Sequence, residues 1–386
     1  MNLVHIFASY PSPYQTYNKL LLKSLKDRGC HIKIFSLSGS NNPLTDVTYL
    51  LEELTIMNQL RSIFLHFFQF LTFKRFTKSG WRTALYSFTR YRKLLNYKSD
   101  LFHIHHIQMV HGLLLNFLIC FEIKYCLSVR GSDITINLIN DEIQRDQIIK
   151  ALQQAQSIHS ISEYLKRVVI DLNIHTDKIK VIPRLVSEVQ YDNKKYNHDK
   201  LHFLTVGRFH WIKGYNYILE ALNRLKKKGI QFHYTICGSN DLNVVNQEQY
   251  LLYLISLYEL TNNVELLGFV DQRELDKQYS KTNIYICGSL NEGLNTSIIK
   301  ALQYKKIVIA PNIGGIPEYI SDRENGLLFK PGESDDLFNS LLMVINDNWQ
   351  PNSFLPDTYL DNEEILDQYY KFYSSMDIYF YAKKIQ

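Results

Sequence analysis

At 386 residues, with 46% hydrophobic and 21% charged side chains, the chain has material for two α/β cores and none of the bias of a disordered or fibrous protein. Its five cysteines (Cys30, Cys120, Cys126, Cys237 and Cys287) are odd in number and lack C-x-x-C spacing, which argues against a disulfide framework and for buried thiols in a reducing compartment. The net charge of +5 hides an asymmetry: residues 61–98 carry nine Lys or Arg (Arg61, Lys74, Arg75, Lys78, Arg82, Arg90, Arg92, Lys93 and Lys98) and no acid, so the rest of the chain is net acidic.

Residues 1–7 lack the basic start of a signal peptide and run straight into a strand. Apolar strands are predicted at 3–9 and 31–37. The basic segment follows, interleaved with aromatics as in "SIFLHFFQFLTFKRF" and "WRTALYSFTRYRKLL". Its apolar core, 62–73, is too short to span a bilayer but suits a helix lying in the interface of an anionic membrane. An ordinary helical pair with a solvated basic face is the competing reading, and no nucleic-acid motif is present. The uncharged run 101–121 holds four histidines, a Gln and an Asn, which argues against a membrane span.

Further strands are predicted at 101–105, 124–129, 157–160 and 178–182, then at 201–207, 232–238, 264–269, 284–288, 307–311 and 326–329. Helical patterns lie between most of them. Two doubly wound parallel sheets follow from this alternation. They are an N-terminal domain at 1–186 and a second domain from 201, joined by the polar linker 187–200. In open α/β sheets ligands bind beyond the carboxyl ends of the strands, so two such domains facing a central cleft place the site there.

Two strand ends carry candidate chemistry. In "VGRFHWIKGYNYILEAL" (206–222) a strand stops at Gly207, and Arg208 and Lys213 flank an aromatic turn before a helix. Two cations beside a helix start make an anion site, and a diphosphate is the obvious anion; a solvated loop is the bland alternative. In "GSLNEGLNTSIIKAL" (288–302) Glu292 is placed to accept hydrogen bonds from sugar hydroxyls. Gly293 lets backbone approach a ligand, and Asn295 or Thr296 caps the next helix. Ile298, Ala301 and Leu302 form the buried stripe of that helix, which turns Thr296, Lys300 and Gln303 toward solvent or a ligand.

These segments, with "PNIGGIPE" and "ENGLLF" after them, resemble the nucleotide-sugar domain of the retaining family-4 glycosyltransferases. The resemblance is strong over 201–346 and thinner over 1–185, where "DLFHIHH", "SVRGSD" and "IHSISEYLKRVV" carry it. It implies a GT-B fold, two Rossmann-like domains with a C-terminal domain at 201–365 and a last helix, 366–386, crossing back to the first domain. It also implies transfer from a nucleotide-diphosphate sugar with retained configuration, and neither cofactor nor obligatory metal; no D-x-D occurs in the chain. Arg208 and Lys213 would hold the donor diphosphate, Glu292 the donor sugar, and Gly207, Gly293 and the amides near Leu294 and Asn295 would lie against the donor.

Three positions depart from the family. The glycine pair after the first strand is absent from "YPSPYQTY", a frequent histidine is Arg130, and the second glutamate, which grips the ribose, is Lys300. Arg130 is available for phosphate or an acidic acceptor, and His105 or His106 for the acceptor hydroxyl; strand-end histidines without chemistry are the alternative. Lys300 either faces the nucleotide or is a solvated helix lysine. The resulting expectation is a cytoplasmic hexosyltransferase, peripheral on the inner face of the membrane, acting on a lipid-linked or growing glycan of a surface polysaccharide. A catalytically silent GT-B subunit serving as a binding partner is the rival.

Overall fold

The computed structural model describes residues 1–10, 16–38, 47–49, 64–97, 100–110, 112–136, 138, 141–189, 201–240, 246–347, 349–356 and 359–382. The chain divides into two units, Met1–Leu185 with Asp361–Gln386, and Val186–Leu360. Residues 190–200 of the expected linker lie outside the described residues, as do Arg61 and Lys98 of the basic segment.

The first unit carries strands β1 (Asn2–Ser9), β2 (His31–Ser38), β3 (Val47–Tyr49), β4 (Leu101–Ile104), β5 (Tyr125–Val129), β6 (Ser157–Ser160) and β7 (Ile179–Val181). They form one parallel sheet in the order β3-β2-β1-β4-β5-β6-β7. The second carries β8 (Leu201–Val206), β9 (Phe232–Cys237), β10 (Val264–Gly268), β11 (Ile284–Ile286), β12 (Ile307–Pro311) and β13 (Leu327–Phe329), ordered β10-β9-β8-β11-β12-β13. Both orders reverse beside their first strand, at β1/β4 and at β8/β11, and those switch points are where open α/β sheets leave a crevice. Only β3 was not foreseen. Three residues are too few to show a period.

Alternation explains the double winding of the second unit. Phe203, Ile284, Ile286, Ile307 and Ile309 point to one face and pack with Ile218, Leu222, Leu225, Leu337 and Leu341 of the helices Tyr215–Lys227 and Ser334–Asn346. Their neighbours Leu204, Tyr285, Cys287, Val308 and Ala310 point to the other and pack with Tyr279, Ile298, Ala301 and Leu302. Polar groups inside are paired across strands: Tyr234 Oη donates to Thr205 Oγ1 (2.8 Å), which donates to the Ile286 carbonyl (2.6 Å).

The last helix runs Asn362–Ala382, starting four residues before the expected 366, and belongs to the first unit. In the basic segment the helices Phe67–Thr77 and Trp81–Tyr91 pack inward through Phe70, Phe73 and Phe88, with Phe73 5.4 Å from the Phe117 ring. Outward they expose Phe64, Phe67, Phe68, Phe76 and Trp81 beside Arg75, Lys78 and Arg82. No helix among the described residues is long and apolar enough to cross a membrane.

Candidate active site

In the second unit the loops after β8, β11 and β12 touch through backbone. A 3-10 turn, Trp211–Lys213, follows Arg208 and brings Lys213 back over the strand ends. Gly214 opens the next helix at φ +61°, and a Cβ there would lie 1.9 Å from the Gly288 carbonyl oxygen, so only glycine permits the contact. Leu290 N donates to the Ile212 carbonyl at 2.7 Å and fastens the two loops. Gly314, at φ +60°, makes the equivalent approach to the Glu292 carbonyl, where a Cβ would lie at 1.9 Å.

This scaffold aims three donors at one oxygen. Glu292 Oε1 accepts from Lys213 Nζ at 2.6 Å, Ser289 Oγ at 2.8 Å and Asn295 Nδ2 at 3.1 Å. Asn295 also caps the helix Thr296–Gln303, its Oδ1 accepting from the amides of Ser297 and Ile298. No donor among the described residues reaches Glu292 Oε2, which leaves a fixed carboxylate oxygen for a ligand's hydroxyls. Arg208 is exposed just past the end of β8, on the loop that carries Lys213. Leu294 is buried and Gly293 lies at the turn, so their contribution there is backbone.

In the first unit, register gathers a polar cluster. His5 pairs with His103 and Ser128 with His159, and strand alternation puts His105 on the same face as His103. All five side chains are buried, beneath Tyr369, Phe372 and Tyr373 of the last helix. The Ile182 carbonyl can only accept, so His159 Nε2 donates to it (2.8 Å) and His159 Nδ1 accepts from Ser128 Oγ (2.8 Å). Ser128 then accepts from His103 Nε2 (2.7 Å), and His103 Nδ1 accepts from Tyr373 Oη (2.6 Å). One proton order runs from helix to sheet.

A second chain starts at Arg130, which can only donate, here to His105 Nδ1. His105 Nε2 donates to His5 Nδ1 at 2.7 Å, and His5 Nε2 is left buried without a partner among the described residues. Burial, with Arg130 nearby, lowers the pKa of His5 to about 3, and burial does the same for His159. His103 and His105 are pushed well below the ordinary histidine value, first by burial and then by neighbouring rings and Arg130. Nitrogens of His5, His103 and His105 lie within 4.8 Å of one another, a spacing a metal ion can use. All of their ring nitrogens but His5 Nε2 are spent on hydrogen bonds, and a guanidinium donating into the group opposes a second cation.

The family model described as "Glycosyltransferase Family 4" matches residues 15–188, and the one described as "Glycosyl transferases group 1" matches 187–357. The chain belongs to the family-4 glycosyltransferases. Its fold is GT-B: the solved structure of Alr3699/HepE from Anabaena, in complex with UDP, superposes with a TM-score of 0.74 at 17% identity, over 97% of this chain and 100% of that one. The lipopolysaccharide outer core galactosyltransferase WaaB, in its apo form, superposes with a TM-score of 0.63 at 15% identity, over 100% and 99% of the two chains. In sequence, the amylovoran biosynthesis glycosyltransferase AmsK of Erwinia amylovora is 28% identical over 55% of this chain and 53% of its own length. The phosphatidylinositol N-acetylglucosaminyltransferase gpi3 subunit of Schizosaccharomyces pombe is 27% identical over 45% and 37%. The aligned part thus spans about half of the first of these relatives and little more than a third of the second.

Against the family pattern, two expectations are corrected. Lys300 does not face outward with Thr296 and Gln303. It is 5% exposed, with Nζ 2.6 Å from Asp276 Oδ1 and 3.2 Å from Ser187 Oγ, and it lies 5.7 and 5.9 Å from the Tyr279 and Tyr304 ring centroids. A helical stripe shows which face is apolar, and it could not show that Asp276 waits across that face on the helix Gln272–Lys281. His105 is likewise no ligand group, because both its ring nitrogens are engaged in a fully buried site. Arg130 stands at the end of β5, where it orders His105, and also donates to Tyr17 Oη (2.9 Å) and Asn18 Oδ1 (3.2 Å). Asp276, Ser289 and Arg184 carried no local motif and escaped the sequence reading.

Proposed function

We propose that the protein is a metal-independent, retaining hexosyltransferase that moves a sugar from a nucleotide-diphosphate donor to a lipid-linked or growing glycan in surface polysaccharide biosynthesis. The carrying observation is the ordered carboxylate of Glu292, held by Lys213, Ser289 and Asn295 at the β8/β11 switch point, with Arg208 exposed on the same loop as Lys213. In this reading the donor diphosphate draws Lys213 from Glu292 and is gripped by Arg208. The two cations stabilise the charge that builds on the leaving diphosphate, the work a bound metal performs elsewhere. Glu292, relieved of one donor, takes hydroxyls of the sugar. The UDP and UDP-glucose complexes of HepE and the polysaccharide role of AmsK support this donor class and setting.

The exposed aromatic and basic helices of the first unit support a peripheral place on the inner face of the cytoplasmic membrane, where a lipid-linked acceptor resides. Titrating UDP and other nucleoside diphosphates into wild type, Arg208→Ala, Lys213→Ala and Glu292→Gln tests the site. Each lost cation should weaken nucleoside diphosphate binding roughly tenfold to a hundredfold. Glu292→Gln should abolish sugar transfer while sparing nucleoside diphosphate affinity. Full affinity and transfer in the Arg208→Ala/Lys213→Ala variant would refute this diphosphate site, and a wild type that transfers no sugar from any donor would leave the silent subunit standing.

A further inference from the structure

Within the first unit, the carboxyl ends of β5, β6 and β7 surround a small, partly open recess lined by Tyr17, Asn18, Arg130, His159, Arg184 and Tyr369, among others. Two guanidiniums meet there on a single ring: Arg184 Cζ lies 4.4 Å and Arg130 Cζ 5.2 Å from the Tyr17 centroid. Gathering like charges on one side chain is costly unless something negative offsets them. Neither arginine forms an ion pair with an acid among the described residues. Asp133, the carboxylate close by among the described residues, spends both oxygens on the amides of Arg130 and Gly131 at 2.7–3.1 Å. The Nε atoms of Arg130 and Arg184 are buried without a partner among the described residues. The rest of the recess is neutral, since burial keeps His159 unprotonated.

We infer that this recess is an oxyanion site: it takes a phosphate or carboxylate carried by the acceptor, gripped between Arg130 and Arg184 with Tyr17 as the platform. This rests on the glycosyltransferase reading for the word acceptor, and it makes the acceptor an anionic glycan or a lipid-linked phosphate rather than a neutral sugar. Arg130 spends Nη1 on Tyr17 and Nη2 on Asn18 and His105, so it offers an oxyanion its charge and its Nε–H, while Arg184 supplies the N–H pair, and the Tyr17 ring lies against both guanidiniums. Arg130 is also the head of the chain through His105 to His5, so a bound anion is registered on a guanidinium already fixed by the core.

Binding is measured in the Arg208→Ala/Lys213→Ala background, which silences the proposed donor diphosphate site. The probes are glucose 6-phosphate, glucuronate and geranyl diphosphate, with glucose as the neutral control; calorimetry gives affinity, and hydrogen exchange of segments 130–136 and 182–186 gives location. At least one anionic probe should bind and protect both segments, and glucose should not. Binding of the sugar anions assigns the charge to the glycan, and binding of geranyl diphosphate alone assigns it to a lipid carrier. Arg184→Gln should weaken that binding roughly tenfold to a hundredfold, and it leaves the Arg130–His105 contact in place should Arg130→Gln fail to fold. No protection by any anion, or an affinity unchanged in Arg184→Gln, would overturn the inference. UDP titrated into Arg184→Gln alone should bind as in wild type, and its failure to bind wild type would strike the donor reading instead.

Discussion

Acidification should unfold the first unit before the second. His5 and His159 titrate near 3 in the folded chain and near 6.5 when unfolded, so between those values the unfolded chain binds more protons. Their contribution is complete above about pH 7, declines as pH falls through 6.5, and is exhausted only near 3. At pH 5 each costs about 2 kcal/mol relative to neutral pH, from roughly 1.4 kcal/mol per pH unit. These two alone remove about 4 kcal/mol, and His103 and His105 act in the same direction. Against a total of roughly 5–15 kcal/mol for a folded domain, that loss is large. Urea titrations at pH 7.5, 6.5, 5.5 and 5.0, followed by hydrogen exchange corrected for its intrinsic pH dependence, resolve the units separately. The second unit is the internal reference, since no histidine among its described residues is buried. A urea midpoint for β4–β6 that stays level from pH 7.5 to 5, or histidine ring signals titrating near 6.5, would refute the neutral, hydrogen-bonded cluster.

Three further outcomes test other parts of the molecule. Lys300→Ala strands Asp276 inside the protein and should cost about 3–5 kcal/mol in urea unfolding with nucleoside diphosphate affinity unchanged, whereas Lys300→Met with Asp276→Leu should recover most of the loss. A stable Lys300→Ala with weakened nucleotide binding would return Lys300 to the ligand. Gly214→Ala should cost about 3 kcal/mol or more, and displace Lys213, because the added Cβ meets the Gly288 carbonyl at a left-handed φ; calorimetric melting together with UDP titration reads both effects. Arg75→Gln/Lys78→Gln/Arg82→Gln should weaken sedimentation with anionic vesicles by about 1 kcal/mol per charge, and Phe68→Ser, at a position 82% exposed, should weaken it further without altering melting. Wild-type binding that ignores salt, or is absent, would remove the membrane surface from the account.

Twelve of the thirteen strands among the described residues were legible because each is an apolar run with turn residues at its ends, and the two switch points followed from their alternation with helices. The cations Arg208 and Lys213 and the carboxylate Glu292 were legible because each sits within a few residues of a strand end. What escaped depends on separation in sequence. Lys300 meets Asp276 from a different helix, and Arg130 meets Tyr17 across 113 residues, so no window holds both partners. The histidines were visible in "DLFHIHH" and "IHSISEY" as alternating residues of two strands. Their union needed the register that pairs His5 with His103 and Ser128 with His159. Propensity and pattern report what a residue's neighbours in sequence dictate; an ion pair between elements reports on topology.

The first unit is assembled from the two ends of the chain, with Val186–Leu360 between them. On the ribosome the second unit therefore emerges whole and can close by itself, while the first waits for its last helix. At about 5–20 residues per second that wait is roughly 10–40 s. Throughout it, the face that Tyr369, Phe372 and Tyr373 later cover stands open, with His103 lacking its tyrosine donor and Arg28 lacking Glu363 and Asp367. The nascent protein is thus a closed second unit tethered to an unfinished first one, and that sheet face stays uncovered until Asn362–Ala382 has been made.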